Sequence, residues 1–250
     1  MKTLNRTWIA ASLLLLAIVG YYGWELQSAY RYTVERVIPE ERTAAYSLTL
    51  SSLTVKRKAA LLKIEDPNFY QHSGIDFTTP GAGITTITQA LVKTIYFERF
   101  SPGIAKIKQT LIARFILDPL MPKEMQLRRF INTVYLGPKA KGFEQAANHY
   151  FDRPFDEISD DQFLALLAMI IAPETFNIEK HPERNELRVA RLKQVIKGDY
   201  TPKGLFDLTY GRVDQKTRQQ LPALSYFESY YQSLITVERC NFFEPIYFDV

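Results

Sequence analysis

The longest uninterrupted apolar stretch of the chain lies near its amino-terminal end. Residues 7–24 read TWIAASLLLLAIVGYYGW and contain no charged side chain. As a helix they would cover about 27 Å, close to the hydrocarbon thickness of a bilayer. We predict an uncleaved membrane anchor rather than a signal peptide or a buried soluble helix, because the run exceeds a usual signal core and no A-x-A site follows it. Lys2 and Arg6 precede the run, which predicts a cytoplasmic tail over residues 1–6.

Behind this stretch, apolar positions recur at helical spacing over most of the chain. The periodicity predicts helices over residues 56–63, 105–117, 123–135, 142–150, 160–171 and 183–197. Pro119 and Pro122 are expected to end the second of these helices, and Ser159 is expected to cap the fifth. The 160–171 segment is almost wholly apolar, which predicts a core helix. The pattern as a whole predicts a mainly α fold.

Two segments lack a clear helical period. Residues 25–55 are mixed in character, and we interpret them as a linker or stem. Alternation of polar and apolar residues over 46–50 predicts a short strand there. Residues 199–250 are rich in Tyr and Phe without a regular period, so we treat them as a C-terminal extension of unknown role.

Composition removes several classes of function. The chain has 250 residues, 46% of them hydrophobic, and a net charge of +4. The hydrophobic content excludes global disorder, and no basic block with interleaved aromatic residues indicates a nucleic acid partner. Cys240 is the only cysteine, so no internal disulfide can form. Without a CxxC pair, a His cluster or a glycine-rich phosphate loop, we predict no protein-held metal and no nucleotide site.

Residues 64–76, IEDPNFYQHSGID, form the most informative segment. Glu65 closes an apolar helix and opens into a turn, where a carboxylate can face a cleft and be partly desolvated. Desolvation raises the pKa of such a group toward that of a working base. An acid pair alone would more often be a surface feature, so the rest of the pattern has to decide.

Four motifs in a fixed order favour a functional role for Glu65 over a surface acid. They are EDxxFxxHxGxD over residues 65–76, GITTITQALVK over 83–93, KIKQ over 106–109, and FINTVYLG with GFEQAANHYF over 130–151. The series resembles the peptidoglycan glycosyltransferase family, which includes the transglycosylase domains of penicillin-binding proteins and monofunctional transglycosylases. The resemblance covers about residues 56–197 and implies a lysozyme-like domain over 56–198, on the outer face of the bacterial cytoplasmic membrane. It also implies a substrate, the undecaprenyl-pyrophosphate disaccharide-peptide lipid II, which the family polymerises into cell-wall glycan strands.

The resemblance also assigns residues. Glu65 matches the family's catalytic base, which takes the proton of the attacking sugar hydroxyl, and Lys93 suits the leaving pyrophosphate. The further candidates on the substrate or pyrophosphate side are Thr85, Thr86, Gln89, Lys106 and Gln109. The residues to which we give a structural part in the motifs are Asp66, Phe69, His72, Gly74, Asn132 and Gly142. For His72 we favour a bond that fixes the turn over direct catalysis.

The chain departs from the family at three points. The family has a second glutamate in the third motif, whereas this chain offers Gln109 or, counted from Asp118, Thr110. Neither side chain can titrate as a carboxylate does. The segment between Asp76 and Thr85 is much shorter than in the family, and the usual QQxxKN reads QALVKT. These differences leave a degenerate protein that binds lipid II or glycan as the alternative, and a lysozyme-like lytic enzyme as a weaker one.

The resemblance further implies partners and leaves one cofactor open. Lipid II, the growing glycan chain and the membrane are the expected partners, and cross-linking would need a separate transpeptidase or other cell-wall protein. A divalent cation, Mg²⁺ or Mn²⁺, at the pyrophosphate stays open.

Overall fold

The computed structural model describes residues 2–101 and 103–221, and over these residues the fold is mainly helical, without a β-strand. This confirms the predicted fold class. The only β-type pairing among them is an isolated antiparallel bridge between Tyr135 and Lys141. Cys240 and the remainder of the extension, residues 222–250, lie outside the described residues.

The chain begins with a helix far longer than the predicted anchor. Helix α1 covers Lys2–Tyr32, passes through the π-helical turn Thr33–Val37 and continues as α2 over Ile38–Thr43. By length and composition, the stretch Arg6–Thr43 could cross a membrane. Residues 25–43, the first part of the segment that we interpret as a linker or stem, are therefore helical. Buried side chains of this part, such as Ala29 and Val37, pack against the domain and hold it helical.

After α2, residues 46–50 do not form the predicted strand. The segment is irregular and ends in a 3₁₀ turn, Leu50–Ser52. The Leu48 main chain bonds instead to the Asn132 side chain, with its N–H donating to Oδ1 at 3.0 Å and its carbonyl accepting from Nδ2 at 2.9 Å. An amide side chain thus satisfies the backbone groups that a neighbouring strand would otherwise pair.

The described residues form nine further helices. Six follow the predicted periodicity closely, and those over 87–96, 118–120 and 215–219 were not predicted. The nine helices are α3 Val55–Glu65, α4 Ile87–Tyr96, α5 Ile104–Ile112, α6 Asp118–Leu120, α7 Lys123–Thr133, α8 Gly142–Phe151, α9 Asp160–Met169, α10 Pro182–Lys197 and α11 Gln215–Gln219. Ser159 caps α9 by accepting a 3.1 Å bond from the Gln162 N–H, as predicted.

Pro119 does not end its helix as expected. After α5 the chain passes through a π-helical turn, Ala113–Leu117, and α6 carries Pro119 in its first turn. Proline is tolerated in a first turn because its missing N–H would find no partner there. Pro122 then stands at the N-cap of α7, so the break falls at Met121.

The core lies between α3, α4, α7, α8 and α9. Helix α9 is its centre, and Leu166, Leu167 and Met169 are fully buried, which confirms the predicted core helix. The Phe143 and Phe163 rings stack at 5.4 Å between α8 and α9. This packing fixes the ends of α3 and α4, from which the candidate site is built.

Polar contacts fix the long amino-terminal helix to the domain. Glu25 is 5% exposed, and its carboxylate lies 2.5 Å from Lys108 Nζ on α5. The hydroxyls of Thr33 and Tyr96 share a buried 2.6 Å bond. Glu41, 1% exposed, pairs with Arg129 on α7. The helix is thus held to the domain at three levels along its length.

Candidate active site

Glu65 is the last residue of α3, at a point where the chain leaves the helix through Asp66. Its side chain is partly buried and lines a narrow cleft together with Asp76, Gly83 and Thr85. Burial raises the pKa of Glu65 to about 7, with a smaller upward effect from Asp66, while the positive charge of Arg188 works in the opposite direction. Of the described residues, none donates a hydrogen bond to the Glu65 carboxylate. The group is therefore free to exchange a proton near neutral pH.

The neighbouring acid, Asp66, is fully used by the fold. It is 2% exposed, accepts a 2.9 Å bond from the Ile87 N–H at the start of α4, and lies 2.8 Å from His72 Nε2. A carboxylate at a helix N-terminus satisfies an unpaired donor and favours the helix dipole. Asp66 and His72 therefore connect the end of α3 to the start of α4, and His72 makes the turn-fixing bond that we favoured for it.

Gly74 and Phe69 shape the same turn. Gly74 adopts φ +84°, and a Cβ there would lie 2.4 Å from the Ala113 carbonyl oxygen, so only glycine fits. The Phe69 ring is 1% exposed, and Lys123 Nζ lies 4.6 Å from its centre. Gly142 is equally restricted, since a Cβ would meet the Asn132 carbonyl oxygen at 2.3 Å. These contacts give the motif glycines and Phe69 a packing role.

Asp76 closes the turn on the opposite side of the cleft. Its carboxylate accepts bonds from Asn68 at 3.1 Å, from the Thr78 N–H and hydroxyl at 2.8 Å each, and from Thr79. Burial works against ionisation, but these bonds outweigh it and hold the pKa of Asp76 well below its usual range. Asp76 thus stays charged while Glu65, on the same cleft, does not.

Three predicted substrate ligands make hydrogen bonds to other groups of the protein. Thr86 and Gln89 form a reciprocal capping box at the start of α4, and the Thr86 hydroxyl donates to the Gly74 carbonyl at 2.7 Å. Gln89 and Gln109 are fully buried, and Gln109 Nε2 donates to the Gln89 carbonyl at 2.5 Å. Gln89 and Gln109 lie between α4 and α5, and we propose a packing role for them. Thr86 lines the Glu65 cleft, so its assignment to the substrate side stays a prediction.

Two lysines form the other end of the site. Lys106 Nζ donates to the Thr85 hydroxyl at 3.1 Å and to the Ile84 carbonyl at 3.0 Å, while Lys93 Nζ lies 5.0 Å from the centre of the Phe100 ring. Burial, and then the charge of Lys93, lower the pKa of Lys106 to about 7, and burial also lowers the pKa of Lys93. No carboxylate pairs with either lysine among the residues described. Thr85 lines the Glu65 cleft, so it connects the acid to the lysines.

The acidic side chains around the cleft bear on whether the protein could hold a divalent cation. Within residues 2–101 and 103–221, no three His, Cys, Asp or Glu side chains are placed to hold an ion. The acids nearest the cleft do not fit either, because Asp66 and Asp76 already use their oxygen atoms in hydrogen bonds. The residues present do not fit a protein-held cation, and we derive no step through one.

Two residues near Glu65 were not found from the sequence. Arg188 on α10 is 4% exposed, and Tyr210 is 5% exposed with its hydroxyl 3.3 Å from the Ile64 carbonyl oxygen. The amphipathic basic pattern of 183–197 contained Arg188 but gave no reason to single it out. Tyr210 lies in a segment without periodicity, so no sequence signal pointed to it.

The arrangement can supply an acid–base group near neutral pH at Glu65 and amines that can bind an anion at Lys93 and Lys106. The profile of the Transglycosylase family matches residues 33–197. The chain belongs to this family. The match begins before the motif-bearing part and takes in the end of the amino-terminal helix.

Individual relatives agree with this membership. The chain is 25% identical over 223 residues to a Cupriavidus necator protein named for a transglycosylase activity, which covers 79% of this chain and 95% of that protein. It is 26% identical to penicillin-binding protein 1F of Bacillus subtilis over 68% of this chain and 24% of that protein. For penicillin-binding protein 1B of Escherichia coli the identity is 31% over 54% of this chain and 18% of that protein. The chain thus spans about a quarter or less of these penicillin-binding proteins. Together with the apolar amino-terminal helix, these relatives fit a membrane-anchored protein.

Proposed function

We propose that this protein is a membrane-anchored peptidoglycan glycosyltransferase that polymerises lipid II, with Glu65 as the general base. The observation that carries the proposal is the Glu65 carboxyl, which faces a cleft shared with Thr85 and has a pKa raised to about 7. None of the residues that the structure describes donates a hydrogen bond to it. A base is most effective when its pKa lies near the working pH. Family membership supports the reaction class.

The proposed reaction has one bond forming and one breaking. The 4-hydroxyl oxygen of the acceptor sugar attacks the anomeric carbon of the lipid-linked donor, and its proton passes to Glu65. The bond from that carbon to the pyrophosphate oxygen breaks, and undecaprenyl pyrophosphate leaves with the electron pair.

The lysines serve the leaving group. Lys106 contacts Thr85, and the charge of Lys93 acts on Lys106. Within the described part of the chain, neither lysine pairs with a carboxylate that would compete with an anion. An arriving pyrophosphate would favour their charged forms, so the site would gain positive charge as negative charge develops on the leaving group. The membrane helix would hold the domain on the outer face of the bacterial cytoplasmic membrane, in line with the basic residues before it.

Polymerisation of fluorescent lipid II by the full-length protein in detergent tests the proposal. We expect glycan strands from the wild type, and for Glu65→Gln a loss of about 10²–10⁴-fold in rate. Glu186→Gln, the same chemical change at an exposed position of α10, is the matched control and should keep wild-type activity. Binding of lipid II without polymer from the wild type would refute the catalytic proposal and favour the degenerate binding protein.

A further inference from the structure

Part of the C-terminal extension is folded over the candidate site. Residues 199–212, which we call the strap, are organised around the Asp207 carboxylate. It accepts bonds from the Tyr200 hydroxyl at 2.6 Å, the Lys203 N–H at 2.9 Å and the Gly211 N–H at 3.0 Å. Three bonds to one carboxylate give the strap a defined shape without a helix or strand.

Main-chain bonds attach the strap to the loop that lines the Glu65 cleft. The Gly81 N–H donates to the Gly204 carbonyl at 2.8 Å, and the Gly83 N–H donates to the Leu205 carbonyl at 2.9 Å. Both glycines have positive φ, and a Cβ on Gly81 would lie 2.7 Å from Pro202. The strap therefore contacts this loop at Gly81 and Gly83, and Gly83 itself lines the cleft.

Helix α10 holds the strap from the other side. Arg188 donates to the Leu208 carbonyl at 2.9 Å, and Arg191 donates to the Thr209 and Arg212 carbonyls at 3.1 and 2.6 Å. The Arg188 guanidinium also lies 5.6 Å from the centre of the Tyr210 ring. These contacts fix Tyr210 beside the end of α3, where its hydroxyl approaches the residue before Glu65.

We propose that the strap is the outer wall of the Glu65 cleft, and that Tyr210 is a positioning residue whose ring keeps water from the Glu65 carboxyl. The effect of this wall on the reaction rests on the function proposed above, but the existence of the wall does not depend on that function. The charged and titratable groups that act on Glu65 are Asp66, Arg188 and Tyr210. Of these, Tyr210 is the one that the strap contributes.

The test measures the protonation of Glu65 directly. Full-length protein in detergent is treated with a hydrophobic carbodiimide, which reacts with protonated carboxyl groups, and the labelled Glu65 peptide is quantified by mass spectrometry between about pH 4 and pH 9. We expect a midpoint of about 7 for the wild type. Tyr210→Ala should lower this midpoint by about 1 pH unit or more, because water then reaches the carboxylate.

Three further variants separate the wall from general loss of stability. Tyr150→Ala removes another tyrosine, whose hydroxyl donates to the Leu136 carbonyl at 2.8 Å, and should keep the wild-type midpoint. Tyr210→Phe keeps the ring and should also keep it. Asp207→Asn weakens the strap from outside the cleft and should shift the midpoint in the same direction as Tyr210→Ala, even where the latter fails to fold.

Unchanged midpoints for both Asp207→Asn and folded Tyr210→Ala would overturn the proposal. In the polymerisation assay, Tyr210→Ala should lower kcat while leaving KM for lipid II near its wild-type value, since the strap acts on the base and not on the lysine end. If the wild type forms no polymer, the labelling shift still tests the wall, so failure of the proposed function and failure of this inference can be told apart.

Discussion

Burial shifts the pKa values at the two ends of the candidate site in opposite directions, and both pKa values come to lie near 7. At one end burial raises the pKa of Glu65 to about 7, and at the other it lowers the pKa of Lys106 to about 7. Desolvation disfavours whichever form is charged, so the acid is kept protonated and the amine is kept neutral. Near pH 7 both ends are therefore poised between their two states.

The contrast with the residues next to them shows how this is achieved. Asp66 and Asp76 are also on the cleft, yet each accepts several hydrogen bonds, and Lys108 pairs with Glu25. The fold satisfies these charges, whereas among residues 2–101 and 103–221 no opposite charge is in ion-pair contact with Glu65, Lys93 or Lys106. Unpaired buried charges lower stability, and they concentrate at sites that await a ligand or a proton.

The largest effect is expected from placing a second acid near the two lysines, because this would add a buried carboxylate at that end of the site. Gln109→Glu would bury a carboxylate where the amide now bonds to the Gln89 carbonyl, and we expect a loss of about 3–5 kcal/mol in the free energy of unfolding at pH 7. Denaturant unfolding measures this loss.

Gln145→Glu is the matched control for that change. Gln145 is exposed on α8 and accepts a bond from the Lys141 N–H that a carboxylate would keep, so we expect little change. A Gln109→Glu protein as stable as the wild type would show that the new carboxylate reaches Lys106. The packing role that we assign to Gln109 would then be wrong.

Removing the charge at the lysine end should have the next largest effect. Lys106→Met loses the ammonium that donates to Thr85, and we expect kcat/KM for lipid II to fall by about 10²–10³-fold. Lys56→Met, at an exposed lysine paired with Asp160, should leave the rate unchanged. Equal rates for Lys106→Met and the wild type would remove Lys106 from the anion site.

The acid end can be tested through stability alone. The folded pKa of Glu65, about 7, lies above its ordinary 4.5, so the native state binds the extra proton and the wild type loses stability as pH rises through that window. Glu65→Gln carries no such penalty. It should be more stable than the wild type by about 2–3 kcal/mol above pH 7 and about equal to it below pH 4.5. Thermal unfolding at several pH values would show this, and a pH-independent difference would contradict it.

The smallest effect is a shift of one limb of the pH profile. With a base that must be deprotonated and an amine that must be protonated, kcat/KM should follow a narrow bell centred near pH 7. Arg stays charged throughout this range, so Lys106→Arg should move the alkaline limb upward by about 1 pH unit or more and leave the acid limb in place. An unmoved alkaline limb would assign it to another group.

What the sequence could predict differs between helices and contacts. The period of apolar residues located α7 to α10 within a few residues, because each helix buries one continuous face. It failed over residues 25–50, where α1 continues because of packing against α5, and where Leu48 pairs with an amide 84 positions away. Such long-range bonds leave no local pattern.

The site shows the same division. The motifs placed Glu65, Thr85 and Lys106 in one region. In the structure the bond from the Ile87 N–H to Asp66 brings the end of α3 to the start of α4. It could not distinguish Gln89 and Gln109 from ligands, because an amide has the same chemistry whether it faces a cleft or a neighbouring helix. Tyr210 was out of reach because its place depends on the shape that Asp207 gives the strap.

The contact between Glu25 and Lys108 bears on how far α5 lies from the membrane surface. Glu25 directly follows the apolar stretch, and Lys108 stands two positions after Lys106 on α5. Where residues 7–24 cross a bilayer, this pair sets the level of α5 at the water boundary, the depth at which lipids carry their phosphates. The helix that follows continues without a break to Thr43, about 28 Å further along its axis. Between Glu25 and Thr43 the described chain stays helical, so in a bilayer the distance between the cleft and the lipid surface would follow from where this helix contacts the domain.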